Sequence, residues 1–108
     1  NIFFNVKKNY KCEYMEKVIP VRKKYRNQLK AVTHLDNSAR LQTVSKKENS
    51  DFYKILIEFE KLTKFPILLN TSFNVNGEPI VNSPDDAIST FYKCKLKTLI
   101  IGDFLVRK

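Results

Sequence analysis

Residues 50–69 read SDFYKILIEFEKLTKFPILL, and their pattern decides the fold class. Phe52, Ile55, Leu56, Phe59 and Leu62 recur at the i, i+3, i+4, i+7 spacing of one helix face, which predicts a helix from Ser50 to about Thr63 with a buried stripe. Asn49 or Ser50 suits its N-cap, and Asp51 complements the positive end of the helix dipole. Lys61 and Lys64 stand at the negative end. The continuous apolar run Pro66-Ile67-Leu68-Leu69 then predicts a strand buried on both faces. Toward the C-terminus, Ser83-Pro84-Asp85-Asp86 opens a second helix, with Ser83 as cap, proline at the first helical position and Ala87, Ile88 and Phe91 facing the core. Thr98-Leu99-Ile100-Ile101 and Phe104-Leu105-Val106 read as strands on either side of Gly102-Asp103.

Toward the N-terminus the signals are weaker. The partial alternation from Leu29 to Leu35, with β-branched Val32 and Thr33, predicts a strand, and Leu41 to Val44 a second. The Asp36-Asn37-Ser38 turn joins them, because its side chains hydrogen-bond their own backbone. Asn1 to Lys8, with Ile2-Phe3-Phe4, reads as a short strand. Lys11 to Lys24 reads as irregular or briefly helical, since Pro20 interrupts any long helix. Strand, helix, strand, loop, helix, strand is the element order of an α/β layer fold.

A content of 43% hydrophobic and 12% aromatic residues in 108 excludes a disordered tail and fits one domain or a piece of one. No apolar run approaches the roughly 18 residues of a membrane span, so a cytoplasmic protein without membrane contact is expected. The start at Asn1, without methionine, suggests a fragment or a processed product. Cys12, Cys94 and the single His34 have no metal-ligand spacing, so no metal site is expected in this chain. Residues 1–47 hold 12 lysines and arginines against 3 acids, whereas residues 48–108 hold 8 against 8. The whole net charge of +9 therefore falls in the first half, which is suited to phosphates or is simply a solvated basic face.

Chemistry concentrates in Asn70-Thr71-Ser72-Phe73-Asn74-Val75-Asn76-Gly77-Glu78-Pro79, directly after the apolar run. In α/β sheets ligands bind beyond the carboxyl ends of strands, where hydroxyls, amides and backbone N–H groups meet anions. Ser72 has no base beside it in sequence, so it reads as a binding group, or as part of a polar turn bonded to itself.

The stretches Asn70–Asn74, Gly77-Glu78-Pro79-Ile80-Val81 and Ser83–Ala87 together resemble the C-terminal signature of the O-carbamoyltransferases, the enzymes of nodulation-factor and antibiotic carbamoylation. Residues 31–44, AVTHLDNSARLQTV, look like the same family's His-Val-Asp-Gly-Thr-Ala-Arg-x-Gln-Thr-Val block. Glu13-Tyr14-Met15 and Leu99–Val106 with Lys108 fit as well. The resemblance implies a partial YrdC-like open twisted sheet with flanking helices over residues 1–108. Its implied role is to contribute to binding ATP and carbamoyl phosphate, with magnesium, for carbamoyl-adenylate formation before transfer to a hydroxyl acceptor. It further implies that Arg40 binds phosphate or the carbamoyl group and that Ser72 binds the adenylate phosphate. Asn70, Thr71, Asn74, His34 and Gln42 would complete the pocket. A guanidinium fork matches two phosphate oxygens, and such a reaction needs electrostatic stabilisation more than a nucleophile.

Asn37 stands where the family usually has glycine, Ser38 where it has threonine, and Lys97 where aspartate is common. The first two keep the turn and the hydroxyl. The family's upstream Lys- and Arg-bearing segment and its metal-binding transferase domain are expected to lie before this chain begins. The remainder of such an enzyme is then the expected partner, with the chain inactive alone. Uncovered sheet edges predict self-association into a homo-oligomer. Two alternatives stand beside this reading: a separate RNA- or nucleotide-binding module using the basic half, and a structural remnant of a truncated gene.

Overall fold

The computed structural model describes residues 2–108, and the chain divides into two compact units, Asn1–Leu69 and Asn70–Lys108. Asn1, the first residue of the expected N-terminal strand, lies outside the described residues. Helices and strands are mixed, as the α/β reading requires. The strands form two separate two-stranded antiparallel sheets.

In the first unit, β1 (Lys17–Pro20) pairs with β2 (Ser38–Leu41), in a register that sets Val18 opposite Arg40 and Pro20 opposite Ser38. Proline is tolerated at Pro20 because it is the last residue of an edge strand. Chain continuity carries the pairing a little further: Phe4 bridges Val21, Asn5 N donates to Pro20 O at 2.9 Å, and Arg22 N donates to Phe3 O at 2.9 Å. The strand expected over 29–35 is instead a 3-10 turn, Lys30–Val32. Thr33 Oγ1 donates back to Leu29 O at 2.7 Å and Val32 N to the same oxygen at 3.0 Å, local bonds that outweigh the β preference of Val32 and Thr33. A second 3-10 turn occupies Lys23–Tyr25. Val21, Leu29 and Ala39 form the buried core, with Phe3, Phe4, Tyr25, Val32, Phe65 and Ile67 packed on it. Phe3 and Tyr25 meet edge-to-face at 4.8 Å between ring centres, a preferred aromatic geometry.

Helix α1 (Ser50–Thr63) has the expected bounds. Asn49 accepts from Phe52 N at 3.1 Å as its N-cap, and Lys64 ends it in the left-handed region at φ 67°. The stripe is a different matter. None of the helix's residues is buried, and Phe52, Ile55 and Leu62 are 55%, 49% and 84% exposed. Periodicity identifies the face a helix offers without specifying what covers it. The expected strand at Pro66–Leu69 is extended chain with no ladder: Ile67 packs on the core while Leu69 is exposed.

In the second unit, α2 (Pro84–Lys93) buries Ala87, Thr90 and Phe91. Ser83 caps it by accepting from Asp86 N at 3.1 Å. β3 (Thr98–Ile101) and β4 (Phe104–Arg107) form a hairpin across Gly102-Asp103. Lys108 returns to α2, its ammonium 4.6 Å from the centre of the Phe91 ring and 2.6 Å from Cys94 O.

Candidate functional site

The candidate residues divide between the two units: His34, Arg40 and Gln42 in the first, Asn70, Thr71, Ser72 and Asn74 in the second. In the first unit, the second strand and its continuation hold the segment Cys12–Met15. Cys12 N donates to Thr43 Oγ1 at 2.9 Å, Thr43 N donates to Cys12 O at 2.7 Å, and the buried Cys12 thiol lies 3.3 Å from Leu41 O. Two candidate side chains then reach the same segment. Arg40 donates to Met15 O from both Nε at 3.1 Å and Nη2 at 2.8 Å, and Gln42 Nε2 donates to Glu13 O at 2.8 Å.

This geometry leaves Arg40 useful. A guanidinium has five N–H groups; two are directed at Met15 O, which leaves both on Nη1 and one on Nη2. One N–H of Nη1 and one of Nη2 lie side by side on the Nη1–Nη2 edge, the one that grips two oxygens of a phosphate or carboxylate, while the other Nη1 proton points toward Cδ. Arg40 is exposed, so the edge is open to a ligand. Holding the other edge on a carbonyl also reduces the rotamer freedom lost on binding.

At the start of β2, Asp36 Oδ1 accepts from Ser38 N at 2.9 Å and from Ser38 Oγ at 2.6 Å, and Ser38 Oγ lies 3.1 Å from His34 Nδ1. Ser38 is buried. Asn37 takes φ 66°, a left-handed turn that asparagine tolerates. The Ser38 hydroxyl, then its amide, hold the Asp36 carboxyl below the usual carboxylate value, and His34 adds a smaller charge effect.

In the second unit, the loop after Leu69 is bonded largely to itself. Ser72 Oγ donates to Asn74 Oδ1 at 2.7 Å, Asn74 Nδ2 donates to Glu78 O at 3.0 Å, and Val81 N donates to Phe73 O at 3.0 Å. Gly77 at φ 82° supplies the turn, and nothing within 4 Å would meet a Cβ there, so its requirement is conformational alone. Asn70, Thr71 and Ser72 are exposed and Asn74 is half-buried. To donate to an anion, Ser72 must rotate its proton away from Asn74. Beside this loop a cavity of about 250 Å³ is lined by residues from Glu78 to Lys93, with Lys93 Nζ 2.7 Å from Glu78 Oε1.

The sequence carries the family signature along its full length. The family described as carbamoyltransferase C-terminus matches residues 1–108. The chain belongs to this family. Among its relatives, the nodulation protein NolO of Bradyrhizobium diazoefficiens is 53% identical over 95 residues, covering 88% of this chain and 17% of NolO. The nodulation protein NolNO of Sinorhizobium fredii is 50% identical over 95 residues, covering 88% of this chain and 14% of that protein. An uncharacterised protein of Methanocaldococcus jannaschii is 36% identical over 101 residues, 94% of this chain and 17% of the relative. The chain thus spans about one sixth of the length of these carbamoyltransferase-family relatives.

The family resemblance pointed to Arg40 and Gln42, of which Arg40 lies within β2 and Gln42 just beyond it, but not to the carbonyls they hold. The contribution of Glu13 and Met15 is a pair of main-chain carbonyls. Their one signal was that Glu13-Tyr14-Met15 fits the family resemblance. Asp36 does what its place in the Asp36-Asn37-Ser38 turn implied, bonding the Ser38 amide, and it also fixes the Ser38 hydroxyl; Thr43 stood only as a member of the block around Arg40, though it pins the segment. Among the described residues no helix is long and apolar enough to cross a membrane.

Proposed function

We propose that the chain contributes the phosphate-gripping part of a carbamoyltransferase pocket that binds carbamoyl phosphate and ATP for carbamoyl-adenylate formation. The observation that carries this reading is the Arg40 guanidinium, held through Nε and Nη2 on Met15 O with its bidentate edge open. Membership of the carbamoyltransferase C-terminus family supplies the carbamoyl chemistry, and the excess of cations in residues 1–47 favours anionic ligands. In the second unit, Ser72, Thr71 and Asn74 offer hydroxyl and amide groups of the kind that hydrogen-bond phosphate oxygens. The rest of the family's polypeptide, about five sixths of the relatives' length, is the partner that carries transfer to the acceptor.

Calorimetric titration of the chain with ATP and with carbamoyl phosphate, each with and without magnesium, tests this. Binding is expected, weakened by Arg40→Ala and, to a lesser degree, by Ser72→Ala. Binding that neither substitution changes would sink the assignment. Steeply salt-dependent RNA binding without affinity for either phosphate would replace it with the nucleic-acid reading.

A further inference from the structure

We infer that His34 is held as its Nδ1–H tautomer and presents an unprotonated Nε2 as hydrogen-bond acceptor for the amino group of a carbamoyl ligand. The inference rests on the proposed carbamoyl-phosphate site and adds a recognition element to it.

Ser38 Oγ lies 2.6 Å from Asp36 Oδ1, and the Ser38 amide lies 2.9 Å from the same oxygen. An ionised carboxylate only accepts, so the single hydroxyl proton of Ser38 is committed to Asp36. Toward His34 Nδ1, 3.1 Å away, Ser38 Oγ then has only lone pairs to offer. Nδ1 must donate, and a neutral imidazole that donates from Nδ1 accepts at Nε2. The Ser38 hydroxyl and amide favour the ionised form of Asp36, which agrees, because it keeps the carboxylate an acceptor at neutral pH. The backbone fixes the same arrangement, with His34 N donating to Ser38 O at 2.7 Å and Asn37 N donating to His34 O at 3.0 Å. His34 is exposed, so Nε2 is reachable.

The ligand class follows from what an acceptor adds here. Residues 1–47 are rich in donors, with 12 lysines and arginines against 3 acids. Every oxygen of carbamoyl phosphate accepts, and its NH2 group is the one part that donates. Arg40 suits the oxygens and cannot serve the NH2. Ser38, which holds the ring, and Arg40 stand two residues apart on β2, hence on one face and about 7 Å apart along the strand. A neutral acceptor held from that strand distinguishes a carbamoyl group from an acetyl group, in which a methyl replaces the NH2.

The test uses the fact that the chain has one histidine. Long-range proton–nitrogen spectra of the ¹⁵N-labelled chain at mildly alkaline pH report which ring nitrogen is protonated. The expected result is Nδ1–H in the unliganded chain. Ser38→Ala shifts the ring toward Nε2–H, and Ser38→Thr keeps the native tautomer. Freshly dissolved carbamoyl phosphate is expected to move the Nε2 resonance. Acetyl phosphate leaves it in place and binds about tenfold more weakly, the upper end of what one neutral hydrogen bond contributes. An Nε2–H ring in the unliganded native chain overturns the inference by itself, whatever the variants do. Equal binding of the two phosphates with Nε2 unmoved overturns it and leaves the Arg40 reading standing. Binding of neither phosphate removes that reading, and the role of His34 falls with it.

Discussion

Replacing Thr43 by valine removes one oxygen and keeps the side chain's shape, so it isolates the bond that ties Cys12 to the second strand. In the native chain Cys12 N donates to Thr43 Oγ1 at 2.9 Å, and Cys12 is only 4% exposed. With valine the Cys12 N–H keeps its buried position and loses its acceptor. A stranded buried donor costs about 1–3 kcal/mol, more than the roughly 1 kcal/mol of an average hydrogen bond. The reverse bond, Thr43 N to Cys12 O at 2.7 Å, is main-chain and survives, so the segment loosens without detaching. Taking about 2 kcal/mol, amide exchange over residues 12–16 accelerates roughly thirtyfold if opening there is local, since about 1.4 kcal/mol is a factor of ten. The Arg40 Nε proton should lose protection with them, because its acceptor is Met15 O in that segment. Thr43→Ser keeps the oxygen and should retain most of the protection. Hydrogen exchange by NMR on the three proteins decides the matter. If Thr43→Val left the 12–16 amides and Arg40 Nε as protected as in the native chain, the segment would not depend on this bond and the account of how Arg40 is positioned would be wrong.

Further outcomes follow from other features. Ser83→Ala should destabilise α2 by about 1 kcal/mol, the usual value for an N-cap, measurable as faster exchange of its first-turn amides. Ser83 also leads the groups that hold the Asp86 carboxyl below its ordinary value. A carboxyl lowered in the folded state adds stability above its unfolded pKa and loses it as the pH falls through the folded one, so α2 should weaken below about pH 4. That acid step should shrink in Ser83→Ala, as denaturant melts at stepped pH would show. Lys64→Gly, at φ 67°, should stabilise α1 by about 1 kcal/mol by relieving a left-handed β-carbon, seen as a higher melting temperature by circular dichroism. Arg40→Lys keeps the charge and loses the fork, so phosphate affinity should fall roughly tenfold or more by calorimetry; an unchanged constant would show that charge alone suffices.

Both helices were legible because their determinants are local. Asn49 and Ser83 cap where their spacing said they would, and Pro84 occupies the first turn. The hairpin at Gly102 was legible for the same reason, its turn residues lying between two apolar runs. The N-terminal half was less so. Lys17–Pro20 carries a charge and ends in proline, which hid a strand that exists because Ser38–Leu41 is available to pair with it. Pro66–Leu69 is apolar throughout, and an apolar run cannot distinguish a ladder strand from extended chain lying on a core. At the candidate site the side chains Arg40, Gln42, His34 and Ser72 were legible by type and by family pattern. Their partners were hidden, since a carbonyl of Met15 or Glu13 leaves no mark on residue identity. The self-bonded state of Ser72 was one of two readings left open, and only the distances to Asn74 describe it.

The turn that shapes the second unit's polar loop also sets a clock on it. Asn76 precedes Gly77, both are exposed, and no β-carbon at Gly77 hinders the main-chain nitrogen from closing on the Asn76 side chain. That ring closure is the chemistry of deamidation, and its hydrolysis leaves aspartate or isoaspartate. A preparation of this chain therefore ages at Asn76 first, each event placing a negative charge in the loop proposed to meet phosphate. Peptide mass mapping of a stored sample against a fresh one would date that change, and ligand binding should decline in step with it.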